Sequence, residues 1–289
     1  MAVTVAESYA ACRQLVLAAN SSFAVGMNLF PPASRDQVYA LYAFFRRTDD
    51  LVDEEGPVAA KRARLDAWRD ELHAALAGAT PQSAILPAVV DTAARGNLPV
   101  AVFDGCLDAC ATDLDAVRLA DLAALHAYCD GVAGTVGEAC LRLLGYDDAE
   151  LLSLSRENAR AVQITNVLRD VEEDRLRDRI YLPADLLARH GVTPADLRAD
   201  PRGEALRRAL AELGEVAAAG YRRAEPLFTG LAPGHRPPLV ALTLRYRLLL
   251  ERLQAQGFAA RERCRLPKSA LLRVLAAAEL ARWMPTWRR

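Results

Sequence analysis

"YALYAFFRRTDDLVDEE", residues 39–55, runs an apolar helical stretch straight into two arginines and five acids. The acids are interleaved with Leu51 and Val52, which read as core positions, so the pattern predicts carboxylates along a face that is at least partly buried. Asp49 and Asp53 are four apart, share one face of a helix and can point at one object. Towards the N-terminus the same face reads Arg46 and then Tyr42. Leu41, Phe44, Phe45 and Leu51 form an apolar stripe beside it.

A second stretch repeats the arrangement. In "QITNVLRDVEEDRLRDRIYLP", residues 163–183, one face carries Gln163, Asn166, Asp170 and Asp174 beside Ile164, Val167, Leu168 and Val171. Spacing alone identifies nothing: the 21 aspartates form six DxxxD pairs, at 49/53, 66/70, 104/108, 170/174, 174/178 and 196/200. Chance accounts for roughly one or two, and exposed helix faces enrich them further. Context separates 49/53 and 170/174 from an ordinary surface pattern such as "RLDAWRDELHAAL". A polar stripe taken out of water must be satisfied. Two readings compete: a cation held between the acid-bearing faces, or ion pairs to Arg46, Arg47 or Arg169. All-oxygen ligation suits Mg²⁺ rather than zinc, and Mg²⁺ completes its shell with water and substrate phosphates. The residues thus point to an apolar helical cavity with a Mg²⁺–diphosphate clamp at one end.

Composition sets the bounds. The chain has 289 residues, 52% of them hydrophobic, and a formal net charge of -1 from 36 basic and 37 acidic residues. That balance gives no basic surface for nucleic acid. The cysteines (Cys12, Cys106, Cys110, Cys129, Cys140, Cys264) form no CxxC pair and have no histidine at ligand spacing, so reduced thiols are expected. "MAVTVAESYAACRQ" lacks the basic and apolar regions of a signal peptide, and no apolar run reaches bilayer-spanning length. A cytoplasmic protein is expected.

Helical periodicity runs through the chain with no convincing alternating strand. Breakers such as "FPPAS" (30–34), "GATPQS" (78–83) and "GLAPGHRPP" (230–238) divide it into about ten helices, of which 121–144 and 148–178 are the longest expected. Ser34 with Gln37 and Asp147 with Glu150 read as capping boxes, and Thr193-Pro194 as an N-cap followed by an N1 proline. A single all-α domain over 1–289 is the economical reading. His73, His126, His190 and His235 fall at helix surfaces or loops and receive no chemistry. "AGTVG" (133–137), within an expected long helix, reads as a site of close approach.

"YALYAFFRRTDDLVDE", "YCDGVAGTVGE" and "QITNVLRDVEEDRLRDRIYLP" resemble the three motif regions of the squalene/phytoene synthase family, in the same order. The likeness extends from "NSSFAVGMNLFPP" (20–32) to "RYRLLLERLQAQGFAARERCRLPK" (245–268). It implies the isoprenoid synthase helical bundle with a central apolar cavity, and head-to-head condensation of two allylic prenyl diphosphates, farnesyl or geranylgeranyl. By the same resemblance Asp49, Asp53, Asp170 and Asp174, with Asn166, hold Mg²⁺ against diphosphate. Tyr42, Arg46 and Tyr128 match catalytic positions. Ser21, Ser22, Arg46, Gln163, Asn166, Tyr246 and Arg263 match positions that face the diphosphates.

The implied chemistry is ionisation of one substrate, attack by the double bond of the other, and closure to a cyclopropylcarbinyl diphosphate. A second ionisation gives a squalene-type or phytoene-type product. Phe45 stands where many relatives have cysteine. "RRTDD" is closer to phytoene synthases, whereas "NSSF" is equally similar to bacterial presqualene diphosphate synthases. The C-terminal membrane helix of eukaryotic squalene synthases has no counterpart, and no GxGxxG fingerprint supports NADPH. Two other functions compete: prenyl transfer to a non-prenyl aromatic acceptor on the same fold, and a non-catalytic helical binding protein. The tail "LARWMPTWRR", with Trp283, Met284, Trp287 and three arginines, fits peripheral contact at a membrane; a terminus packing one tryptophan is the plainer reading.

Overall fold

A computed structural model of the chain describes residues 3–18, 26–199, 203–259 and 263–283. The described residues are helical almost throughout, as the periodicity predicts. In chain order come α1 (Val5–Ala18), a 3₁₀ turn (Pro32–Ser34), α2 (Arg35–Asp53), α3 (Val58–Leu76), α4 (Leu86–Arg95) and α5 (Val100–Thr112). Strand β1 (Val117–Arg118), α6 (Leu122–Cys129), a π turn (Asp130–Gly134), α7 (Thr135–Leu143), α8 (Ala149–Leu176) and β2 (Arg179–Ile180) follow. The remainder is α9 (Ala184–Arg189), α10 (Pro194–Ala199), α11 (Glu204–Arg223), α12 (Glu225–Gly230), α13 (Arg236–Ala255) and α14 (Lys268–Ala281). The chain divides into two compact units, Met1–Asp115 with Thr135–Leu152, and Ala116–Gly134 with Ser153–Arg289.

In the first unit, α2 packs against α1, α3, α4, α5 and α7. Its apolar stripe supplies Leu41, Phe44 and Leu51, all nearly inaccessible, to a core shared with Leu65, Trp68, Leu72, Leu86 and Phe103. Phe44 sits at the middle of it, stacked on Trp68 (centroids 5.7 Å apart) and edge-on to Phe103 (5.0 Å). Trp68 donates its indole N–H to Thr48 Oγ1 at 3.1 Å, so the aromatic centre leaves no polar atom stranded there. The stripe expected from spacing is therefore what anchors α2.

In the second unit, α8 contributes Ile164, Val167 and Leu168 to a core with Leu125, Tyr181, Leu213, Tyr221 and Leu250. Gly220 on α11 lets that helix approach α8: a Cβ there would lie 3.1 Å from the Cβ of Ala161. The side chain of Thr165 shares a hydrogen bond with Tyr221 at 2.9 Å. α14 lies along α13 and buries Ala270, Val274, Ala278 and Ala281.

Four local expectations are corrected. The helix expected over 121–144 is broken at residues 130–134 by a π turn, which widens one turn without changing the apolar pattern on either side. A parallel strand pair, Val117 with Arg179 and Arg118 with Ile180, forms where none was expected, because two residues are too few for alternation to show. Ser34 makes no capping bond; it closes the 3₁₀ turn that follows Pro31 and is itself in helical conformation. The α8 cap is Asp148 rather than Asp147: Asp148 Oδ1 accepts the N–H groups of Glu150 and Leu151, both at 3.0 Å. Thr193 behaves as expected and exchanges bonds with Asp196 at the start of α10.

These caps give a direct test. Asp148→Ala is expected to cost roughly 0.5–2 kcal/mol of stability, whereas Ser34→Ala changes it by less than about 0.5 kcal/mol. Thermal melts of the two variants side by side check it; equal losses contradict the assignment.

Candidate active site

On α2 the face carrying Tyr42, Arg46, Asp49 and Asp53 lies away from the aromatic core. Asp53 is exposed and the Asp49 side chain is 55% exposed, so the acids do not sit in packed protein as the interleaving with Leu51 and Val52 had suggested. An ionised carboxylate is costly to take out of water, so these acids stay hydrated on the outer side of the helix, which is the physical reason for the difference. Arg46 reaches Asp50 at 2.7 Å and Asp49 at 3.8 Å, while Arg47 pairs with Glu54 at 3.1 Å. Tyr42 packs its ring against Val16, Met27 and Val38.

The acids on this face repel one another. The Asp49 carboxyl is pushed up to about 6, first by desolvation, then by Asp53, with Asp50 and Asp113 adding to it and Arg46 opposing. Desolvation and 55% exposure pull in opposite directions; a carboxylate in a recess reconciles them, with water reaching its oxygens and protein filling much of the surroundings. The sign for stability follows. A carboxyl whose folded pKa lies above its unfolded value costs stability once ionised, from the unfolded value near 3.8 upward, and the full cost is present above about 6. In metal-free protein Asp49→Asn is therefore expected to melt higher than wild type at pH 7 and to converge with it as pH falls through 6 towards 4. Solvent screens part of the repulsion at so exposed a side chain. A gap that is independent of pH contradicts the assignment.

On α8 the second set is drawn together with residues from α13 and the segment before α14. Arg169 Nε donates to Asp170 Oδ1 at 2.7 Å, and its Nη2 pairs with the other carboxylate oxygen. Arg263 grips the same carboxylate, Nε to Oδ1 at 3.0 Å and Nη2 to Oδ2 at 3.1 Å. Desolvation works against the Arg169 charge, but the hydrogen bonds and charge of Asp170, with Tyr246 beyond, outweigh it and hold the guanidinium ionised. Tyr246 is 3% exposed, with the Arg245 guanidinium 5.7 Å from its ring centroid. Asp174 follows one turn after Asp170 and is half-buried. Tyr128 stacks on Tyr181, centroids 4.7 Å apart, and so joins the "YCDGVAG" and "RIYLP" segments.

Asn166 carries the most telling detail. Its Nδ2 donates to Gln163 Oε1 at 3.2 Å, while its Oδ1 is buried with no hydrogen-bond partner. A buried oxygen without a donor costs about 1–3 kcal/mol and is what a cation or a substrate donor would satisfy. The donor set fits Mg²⁺: carboxylates and an amide oxygen, with no soft ligand. Among the described residues no three His, Cys, Asp or Glu side chains form a ready-made cage.

Tyr42, Arg46, Asp49 and Asp53 follow one another along α2, and Gln163, Asn166, Asp170 and Asp174 along α8. Arg169 takes the ion-pair role weighed for it, whereas Asp113 was not foreseen beside Asp49. The adjacency of Arg169 to Asp170 was the available signal; Asp113 had none. The ion-pair reading is also realised at Arg46 and Arg169. Ser21 and Ser22 lie outside the described residues. Members of two other DxxxD pairs make ordinary ion pairs: Arg69 (3.3 Å) and His73 (2.8 Å) take up Asp104, and Asp178 pairs with Arg118.

Comparison with known proteins covers nearly the whole chain. The profile of the squalene/phytoene synthase family matches residues 16–270. A presqualene diphosphate synthase of Rhodopseudomonas palustris is 34% identical over 266 residues, 90% of this chain and 93% of that one. A phytoene synthase of Arthrospira platensis is also 34% identical, over 88% of this chain and 86% of its own. The crystal structure of a squalene synthase from Alicyclobacillus acidocaldarius superposes with a TM-score of 0.82 at 29% identity, over 88% of this chain and 95% of that one.

Proposed function

Because the chain belongs to the squalene/phytoene synthase family of prenyltransferases, we propose that it joins two molecules of farnesyl or geranylgeranyl diphosphate head to head. The reaction passes through a cyclopropylcarbinyl diphosphate, giving presqualene diphosphate itself or, by loss of the second diphosphate and a proton, a phytoene-type product. A squalene-type product would need a hydride donor such as NADPH. The observation that carries the reading is the buried, unpartnered Asn166 oxygen on the acid-bearing face of α8. Nothing in an ordinary surface pattern accounts for that oxygen.

Asp49 and Asp53 on α2, and Asn166, Asp170 and Asp174 on α8, would hold Mg²⁺. When bound, the ion supplies Lewis-acid neutralisation of diphosphate charge. Arg46 pairs with Asp49 and Asp50, and Arg169 and Arg263 with Asp170, so these guanidiniums could take the charge of a departing diphosphate by hydrogen bonds. Tyr246 presents a hydroxyl beside Arg169, and Gln163 accepts the Asn166 amide N–H, leaving the Asn166 oxygen for a ligand. Ser21, Ser22, Tyr42 and Tyr128 complete the proposed set. The first substrate loses diphosphate to give an allylic cation, the second substrate's double bond attacks it, and proton loss closes the ring. Apolar walls would keep water from that cation.

No helix among the described residues is long and apolar enough to cross a membrane. A hydrocarbon product favours release at a bilayer surface, and we extend the proposal to peripheral membrane contact.

The test is product mass after incubation with each prenyl diphosphate separately, with Mg²⁺. A C30 or C40 product, abolished by chelation and restored by Mg²⁺, is the expected result. Turnover only when an aromatic acceptor is added contradicts it, as does unchanged turnover in chelator.

A further inference from the structure

α14 has two faces of similar character, which is unusual for an outer helix. Ala270, Val274, Ala278 and Ala281 are buried along α13. The opposite side, at spacings of four, four and three, reads Leu272, Ala276, Leu280 and Trp283. All four are exposed, the large ones by 68%, 59% and 80%. A helix packed by one face normally turns polar residues outward. Elsewhere among the described residues, large exposed apolar side chains are scattered in ones and twos along the chain. Here Leu271, Leu272, Leu280 and Trp283 fall within thirteen consecutive residues.

We propose that this outer face of α14 is the surface by which the protein lies on an anionic lipid bilayer. The inference deepens the peripheral contact proposed above and rests on it for the class of partner; the surface itself is read from exposure and charge. The flanks of the stripe carry Lys268 on one side and Arg273 on the other, both exposed, with Arg265 just before the helix. The one acid beside it, Glu279, is paired with Arg282 at 3.0 Å. In sequence the next six residues add Trp287, Arg288 and Arg289. An apolar stripe with a basic rim and an aromatic residue at its end is the composition of an interfacial helix, and its basic residues are drawn to an anionic surface. A second copy of the chain is the competing occupant. Three large side chains on one helix cover only a few hundred Å², short of the roughly 800 Å² per partner that a stable interface buries, and like-charged rims would face each other.

The experiment is vesicle flotation with the full chain and no prenyl diphosphate, using phosphatidylcholine vesicles with and without phosphatidylglycerol. Wild type is expected to float with the phosphatidylglycerol-containing vesicles. Leu272→Glu/Leu280→Glu is expected to bind them at least about tenfold less, with an unchanged melting temperature because both positions are exposed. Lys268→Glu/Arg273→Glu is expected to lose the preference for anionic lipid. Binding by wild type that survives in the leucine variant overturns the α14 surface and leaves peripheral contact standing. Failure of wild type to bind overturns both. A wild-type dimer by light scattering that the leucine substitutions split, without vesicle binding, assigns the face to a second copy and overturns the lipid reading.

Discussion

Asp53→Asn is expected to slow turnover by on the order of 10²–10³-fold while the melting temperature moves by less than about 2 °C. The two halves of that result come from one fact, the position of Asp53 on the side of α2 away from its aromatic core. Its carboxylate is exposed, and removing its charge relieves the repulsion that raises Asp49. What the substitution removes is an anionic oxygen for a cation. The Mg²⁺ concentration giving half-maximal rate should therefore rise, a readout that a structural role would not move. Asp174→Asn on α8 should behave alike. Wild-type turnover in either variant, or lost turnover accompanied by lost structure, would remove the carboxylates from the mechanism.

Phe44→Ala, on the same helix, should do the opposite. Phe44 has no exposed surface and touches Trp68, Phe103 and Phe45 at centroid distances of 5.7, 5.0 and 5.6 Å. Truncating a buried phenylalanine costs about 3–5 kcal/mol, which for a chain of this size lowers the melting temperature by on the order of 10 °C. Below the transition, turnover per folded molecule should stay within a few-fold of wild type. Calorimetry and a low-temperature assay separate the two quantities. A melting temperature that barely moves would mean that the aromatic cluster does not hold α2. Taken as a pair, the two variants answer why acids run beside core residues: one face of the helix holds it in the fold, and the other is kept for a charged ligand.

Periodicity was enough to find α2 and α8 and to place Asp49 with Asp53 and Asp170 with Asp174, because residues four apart share a helix face whatever else the chain does. It does not say whether that face looks on protein or on water, which is why Asp49 and Asp53 were expected to be more enclosed than they are. The grip of Arg263 on Asp170 joins residues 93 apart. No local signal reports such a pair, and the family resemblance alone suggested that both belonged to one site. The Asn166 oxygen could be named from the sequence, but its lack of a partner required coordinates. Val117–Arg118 and Arg179–Ile180 are too short to show a strand's period. The turn at Asp130–Gly134 adds one residue to a helix without disturbing either flank, so the sequence around Tyr128 read as continuous.

The central claim, that these carboxylates hold a divalent cation against diphosphate, is tested most directly by anomalous diffraction from crystals grown with Mn²⁺ and inorganic pyrophosphate. The account predicts manganese peaks within the roughly 2–2.6 Å coordination distance of hard cations from carboxylate oxygens of Asp49 or Asp53 and of Asp170 or Asp174, with pyrophosphate oxygens completing the shells. Pyrophosphate bound with manganese absent from both acid pairs, and Asp49 and Asp170 still paired only to Arg46 and Arg169, would contradict it.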